Sequence, residues 1–190
     1  MGRLVALALL LLASVSTPAI ARDVDGVQIP DSYSLAGEKQ PLVLNGAGYR
    51  RKFFIKVYVG ALYLAQPLNQ ADKILNAAAP RVMLLHFVRG VSTSQLATAW
   101  REGVVANQTT LAVQRLHDRI DRFNAMMLDL RAGDEMRLEL LANGDTRVWI
   151  NKDLRGTVSG RDFQQALLSA WLGANPADGH LKRALLGARE

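Results

Sequence analysis

Phe53-Phe-Ile-Lys-Val-Tyr-Val-Gly-Ala-Leu-Tyr-Leu64 is the stretch on which the fold turns. It is dense in β-branched and aromatic side chains, the composition of a strand on a pleated, half-buried surface. With a side-chain period of two, Phe53, Ile55, Val57, Val59 and Ala61 share one wholly apolar face, predicted to pack on the core. The other face carries Lys52, Phe54, Lys56, Tyr58, Gly60 and Leu62. That face is mixed, as expected of a strand lining a partly polar pocket. Just before it, residues 42–45 read as a short strand, and Gly46-Ala-Gly48 reads as a bulge or tight turn. Nothing helical follows those glycines, so the helix N-terminus that a phosphate loop needs is missing.

Working outward, residues 22–41 are polar and broken by Gly26, Pro30, Gly37 and Pro41, which predicts an arm or an edge strand. Residues 70–79 have helical composition and stop at Pro80; residues 81–88 form a second strong strand. Ser92 and Gln95 make an S-x-x-Q capping box for a helix with Leu96, Trp100 and Val104 on one side. A further helix over residues 110–130 places Leu116, Ile120, Phe123 and Met127 at helical spacing. Asn143-Gly144, between strands at 136–141 and 146–150, predicts a tight hairpin. Residues 155–159 can add a strand, after which Ser159 is expected to cap a helix that buries Phe163, Ala166, Leu167, Ala170 and Trp171. A last short helix runs from Asp178 to Gly187. The pattern is α+β: one antiparallel sheet with helices on one face.

The amino terminus has the marks of a secretion signal: Arg3, an apolar run over residues 4–15, and Ala19-Ile20-Ala21 as an A-x-A cleavage site. Residues 1–21 are therefore read as a signal peptide and 22–190 as a single domain, with the periplasm of a bacterium as the expected location. That apolar run is too short to span a bilayer, and no later stretch is long enough, so no membrane segment is expected in the mature chain. Absence of cysteine removes disulfides, thiolate metal sites and cysteine nucleophiles. The formal charge of +6, one unit less without Arg3, favours anionic ligands. Basic residues alternate with acidic ones, as in Arg115-Leu-His-Asp-Arg-Ile-Asp-Arg122, which argues against nucleic acid.

Few residues point to chemistry. His86, His117 and His180 lack the i,i+4 pairing of metal sites, so neither a metal nor a cofactor is expected. Ser159 and Ser169 sit outside any G-x-S-x-G elbow. Asp134-Glu135 is explained by a turn. More informative is Arg50-Arg-Lys-Phe-Phe-Ile-Lys-Val-Tyr58, where cations share a sheet face with Phe54, Tyr58 and Leu62. An arginine beside a phenol within apolar walls suits the carboxylate or phenolate of an amphipathic ligand. A solvated, lysine-protected strand edge explains the same pattern equally well.

Taken with Leu44-Asn-Gly-Ala-Gly-Tyr-Arg50, the strand over residues 52–64 resembles the opening β-hairpin of the chalcone isomerase-like family. Asp162-Phe-Gln-Gln-Ala-Leu-Leu-Ser-Ala-Trp-Leu-Gly173, Pro176 and Leu181-Lys-Arg-Ala-Leu-Leu-Gly187 resemble the carboxy-terminal part of its exported bacterial branch. Ala99-Trp-Arg-Glu-Gly103 and Arg122-Phe-Asn-Ala-Met126 fit between them. The resemblance implies an open-faced β-sandwich, an antiparallel sheet covered by helices with a ligand cleft between the layers. It implies either an isomerase, closing a chalcone by intramolecular oxa-Michael addition, or a non-catalytic binder of fatty acids that grips the carboxylate with arginine and tyrosine.

Arg50 matches the family arginine after the G-x-G turn, and Tyr58 stands where the enzyme has a threonine. The enzyme's helical tyrosine and asparagine fall near Leu96 and Gly103, which supply no polar side chain. Stabilising a developing enolate needs such donors, whereas binding needs only an apolar cleft and an anchor. The favoured expectation is accordingly a non-catalytic binder of a small apolar anionic ligand, with Arg50 as anion anchor and Tyr58 as hydrogen-bond donor. The alternatives are an isomerase on a chalcone-like substrate and a partner-binding protein whose cleft is filled by its own side chains.

Overall fold

Alternating apolar residues assemble a meander in which chain order and spatial order coincide. In the computed structural model, which describes residues 21–188, β1 (Ala21–Val24) and β2 (Val27–Pro30) form a separate hairpin. The sheet proper follows: β3 (Ser32–Tyr33), β4 (Leu42–Lys52), β5 (Ile55–Leu64), β6 (Arg81–Phe87), β7 (Glu135–Leu140), β8 (Asp145–Ile150) and β9 (Asp153–Ser159), every neighbouring pair antiparallel. Apart from Ala21, the predicted signal peptide lies outside the described residues.

Five helices complete the described residues: α1 (Ala71–Leu75), α2 (Thr93–Val105), α3 (Thr110–Asn124), α4 (Arg161–Leu172) and α5 (Gly179–Leu185). They share a core with Leu62, Met83, Leu85, Met136 and Leu138 of the sheet, into which Trp100, Phe123, Phe163 and Trp171 project. On the opposite face Val59, Ala61, Tyr63, Val82 and Leu84 meet Ile29 and Leu35 from the amino-terminal segment and Leu42 at the start of β4. This is the expected antiparallel sheet with its helices on one face.

Two bulges in the β4–β5 ladder alter the predicted facing. Leu44 pairs with Tyr63 and Gly46 with Leu62, leaving Asn45 unpaired; Arg50 pairs with Tyr58 and Arg51 with Lys56, leaving Val57 unpaired. An extra residue shifts side-chain parity at that point. Val57 and Tyr58 both join the helix-side core, whereas Val59 and Ala61 join the other one. Phe53 and Ile55 are exposed at the strand end, not packed as the simple period predicts.

β4 runs unbroken through Gly46-Ala-Gly48, and the bulge sits one residue earlier. Those glycines serve α5, which lies directly on them: a Cβ on Gly46 would collide with the Ala184 carbonyl, and one on Gly48 would lie 2.6 Å from the Ala184 Cβ. Buried Asn45 fastens the same junction. Its Nδ2 donates to the Leu68 and Leu185 carbonyls (2.9 and 2.7 Å), and its Oδ1 accepts from the Leu68 N–H at 2.7 Å.

Three local readings also change. α1 is one turn, not ten residues, because buried Arg81 donates from one guanidinium nitrogen to the Ile74 and Leu75 carbonyls that end it (2.8 and 3.2 Å). Gly160, with φ 127°, occupies the N-cap of α4, and Ser159 instead donates to Asp145. In the β7–β8 connection only Gly144 has positive φ, and its N–H bonds back to Leu141. The result is a three-residue loop ending in a left-handed glycine, longer than the two-residue turn that Asn-Gly predicts.

Candidate functional site

The end of the sheet where β4 turns into β5 meets the start of α2, and a cavity of about 320 Å³ lies between them. Arg50 and Lys52 reach it from β4, Ile55 and Val57 from β5, and Phe53 from the turn. Arg89, Gly90 and Val91 form the opposite wall with Gln95 of α2. The bulge is what brings Val57 to this side. Val91 and Leu130 exchange backbone hydrogen bonds of 2.9 Å in both directions, which anchors the wall that carries Arg89.

The lining combines three cations with apolar surface and contains no carboxylate. Arg50 makes no ion pair among the described residues, and its Nε is buried without a hydrogen-bond partner. A buried guanidinium N–H left unpaired is costly. Gln95 is half committed: its Oε1 accepts from the Ser92 N–H at 2.9 Å, and its own N–H bonds to the Ser92 hydroxyl at 3.3 Å, the predicted capping box. The Gln95 side-chain amide nitrogen remains a donor on the cavity wall.

Arg50 and Tyr58 face each other across the strands, with the Arg50 Cζ 5.8 Å from the Tyr58 ring centroid. The structure thus brings the two sequence-predicted site residues together, Arg50 on the cavity and Tyr58 one layer deeper. Tyr58 is only 6% exposed, and its hydroxyl accepts a 2.8 Å hydrogen bond from the Trp171 indole N–H. Burial pushes its phenol pKa above the ordinary value, an effect that the positive charge of Arg50 and the Trp171 bond oppose. The phenol therefore keeps its proton, which has no acceptor among the described residues.

Lys52 shares the mixed strand that the sequence marks, but Arg89 and Gln95 carry no sequence signal for a ligand. Arg89 belongs to a short connection, and Gln95 reads as a capping residue. Leu96 is buried and apolar, and Gly103 is pressed against α4, where a Cβ would lie 2.7 Å from that of Ala170. Neither brings a polar group to the cavity. A larger hollow of about 890 Å³ lies elsewhere, between α1, α4 and the α2–α3 connection. Part of its polar lining is tied up internally: Asn107 bonds to both the amide and the carbonyl of Asn175, and Lys182 donates to the Gly173 carbonyl. No group of three potential metal-ligating side chains occurs among the described residues.

A family profile described as chalcone isomerase-like matches residues 21–187. Among solved structures, the chain is similar to an Arabidopsis thaliana fatty-acid binding protein, with a TM-score of 0.67 and 16% sequence identity over 85% of this chain and 92% of that one. At that identity the likeness concerns the fold, and it agrees with the sheet and helix layer described above. No curated protein sequence matches the chain.

Proposed function

The chain belongs to the chalcone isomerase-like family, and we propose that it is a non-catalytic binder of an apolar carboxylate, exported to the periplasm after cleavage behind Ala21. The observation that carries this reading is Arg50: a cation with a buried, unpaired N–H, on a cavity whose lining mixes cationic with apolar side chains and holds no acid to neutralise it. Lys52 and Arg89 add long-range attraction for an anion, and Val57, Val91 and Ile55 supply apolar contact. Tyr58 packs against Arg50 from behind, with the Arg50 Cζ 5.8 Å from its ring centroid. The cavity is at the small end of ligand pockets, which favours a short acyl chain or one only partly inserted. That the structurally similar plant protein is named for fatty-acid binding supports the same ligand class.

A partner-binding role with a filled cleft predicts an Arg50 tied to an internal carboxylate, and Arg50 makes no ion pair among the described residues. Catalysis of a chalcone-type closure has one feature in its favour, the amide nitrogen of Gln95 in the same cavity as Arg50. It lacks the further donors that would hold an enolate, since Leu96 and Gly103 occupy the corresponding places.

Titration of saturated fatty acids and their methyl esters tests the proposal. The acid should bind and the ester much more weakly, and Arg50→Ala should lose about 1.5–3 kcal/mol of affinity for the acid, one charge-assisted hydrogen bond, with an unchanged unfolding midpoint. Equal affinity for acid and ester, or an Arg50→Ala protein that binds like wild type, overturns it.

A further inference from the structure

Among the described residues, the β4–β5 turn carries the most exposed large apolar side chains. Phe53 is 87% exposed, Phe54 99% and Ile55 49%. Strand pairing ends at Lys52 and Ile55, so the two phenylalanines alone form the loop. Phe53 has φ 57°, at the first position of a two-residue turn, where glycine or asparagine relaxes the backbone and a bulky side chain is disfavoured. An aromatic kept there, in water, serves neither the core nor the turn.

The tip stands within a collar of cations. Arg51, Lys52 and Lys56 flank it along the strands, and Arg89 closes the adjacent cavity wall. Two acids bond to these segments: Asp25 pairs with Lys56 at 2.8 Å, and Asp178 accepts from the Arg51 backbone N–H at 2.8 Å. Lys52 and Arg89 have no acidic partner among the described residues. The Arg51 guanidinium donates to the Tyr49 hydroxyl and stays at the surface.

We infer that the Phe53-Phe54 tip is a docking wedge for an anionic lipid bilayer. Two rings on a convex point can bury about 150–250 Å² each, short of the roughly 800 Å² per partner that a stable protein interface requires. A bilayer interface imposes no such shape: aromatic side chains enter the headgroup region while surrounding lysines and arginines meet lipid phosphates. Phe53 and Ile55 also border the Arg50 cavity, so docking places its mouth where apolar carboxylates partition. The wedge itself does not depend on the cavity holding a ligand.

Flotation with vesicles is the test, using the chain from Ala21 onward, which holds every core contact described above. Phosphatidylglycerol-containing vesicles should carry the protein and pure phosphatidylcholine should not, with binding falling as salt rises from about 0.1 to about 0.5 M. Phe54→Ser should lower partitioning about tenfold, by removing a ring's apolar burial, and Lys52→Gln about fivefold, by removing a cation near the surface. Phe53→Asn should raise the melting temperature by relaxing the turn while still weakening flotation, so unfolding cannot account for the loss. Leu111→Ser, at another exposed apolar site, on α3, should float like wild type.

Phe54 does not line the cavity, so a Phe54→Ser protein that keeps its fatty-acid affinity but no longer floats separates this inference from the ligand proposal. Wild-type protein that ignores anionic vesicles, that floats equally with and without Phe54, or that uses the tip to self-associate overturns it.

Discussion

Arg50 and Tyr58 are cross-strand partners on the helix-facing side of the sheet, and Tyr58 in turn accepts the Trp171 indole N–H at 2.8 Å. The chain Arg50, Tyr58, Trp171 thus couples the cavity to the deepest layer of the core. Tyr58→Phe leaves the Trp171 N–H buried without an acceptor, a loss of about 1–3 kcal/mol of stability. Trp171→Phe removes that donor but opens space beside Trp100, whose ring lies 5.2 Å away. Urea unfolding of both variants, set beside fatty-acid affinity, separates two roles of the phenol. If it donates to the ligand carboxylate, Tyr58→Phe lowers affinity where Trp171→Phe leaves it near wild type; equal affinity in all three proteins limits Tyr58 to a packing role.

Close approach of α5 to β4 makes a second prediction. Gly48→Ala brings a Cβ to 2.6 Å from that of Ala184, an overpacking expected to cost about 1–3 kcal/mol. The double variant Gly48→Ala/Ala184→Gly removes the opposing methyl and should recover most of the packing loss, apart from the helix penalty of glycine at 184. Gly46→Ala should not be rescued this way, because its Cβ meets the Ala184 and Leu185 carbonyl oxygens, which no side-chain change removes. A double-mutant cycle on unfolding free energies measures the coupling. Additive effects at Gly48 and Ala184 would mean that α5 moves aside.

Much of this architecture is legible in side-chain periodicity. The capping box at Ser92, the buried stripes of α2 and α4, and the strand over residues 55–64 follow from local pattern, because each element buries its apolar side whatever its neighbours do. Facing within β5 is not legible in the same way. Whether Val57 points with Val59 or with Tyr58 depends on a ladder slip against β4, which β5 alone does not encode. The glycines at 46 and 48 were open to a turn reading because their constraint comes from a helix more than a hundred residues later. Arg50 and Tyr58 can be picked out as a cation and a phenol in one short stretch of sequence, while Arg89 and Gln95 enter the cavity only through tertiary folding.

Acid should expose the contribution of the α3–α4 junction. The Arg119 guanidinium donates two hydrogen bonds to the Asp162 carboxylate, 2.6 and 2.7 Å, and Asp162 also accepts from the Phe163 N–H in the first turn of α4. These bonds, those from Arg119 foremost, hold the Asp162 pKa below its ordinary 3.8. Because the folded state favours the ionised carboxylate, the stabilisation is complete above the unfolded pKa and disappears as pH falls through the folded one. The Asp162 side chain is 61% exposed, which screens the pair and limits its effect to about 1 kcal/mol or less. Urea midpoints of wild type and Asp162→Asn should therefore differ near neutrality and converge as pH falls through the lowered folded-state pKa of Asp162, with the neutral-pH difference shrinking in high salt. A difference that persists unchanged in acid would assign the effect to hydrogen bonding at the α4 N-terminus instead of to charge.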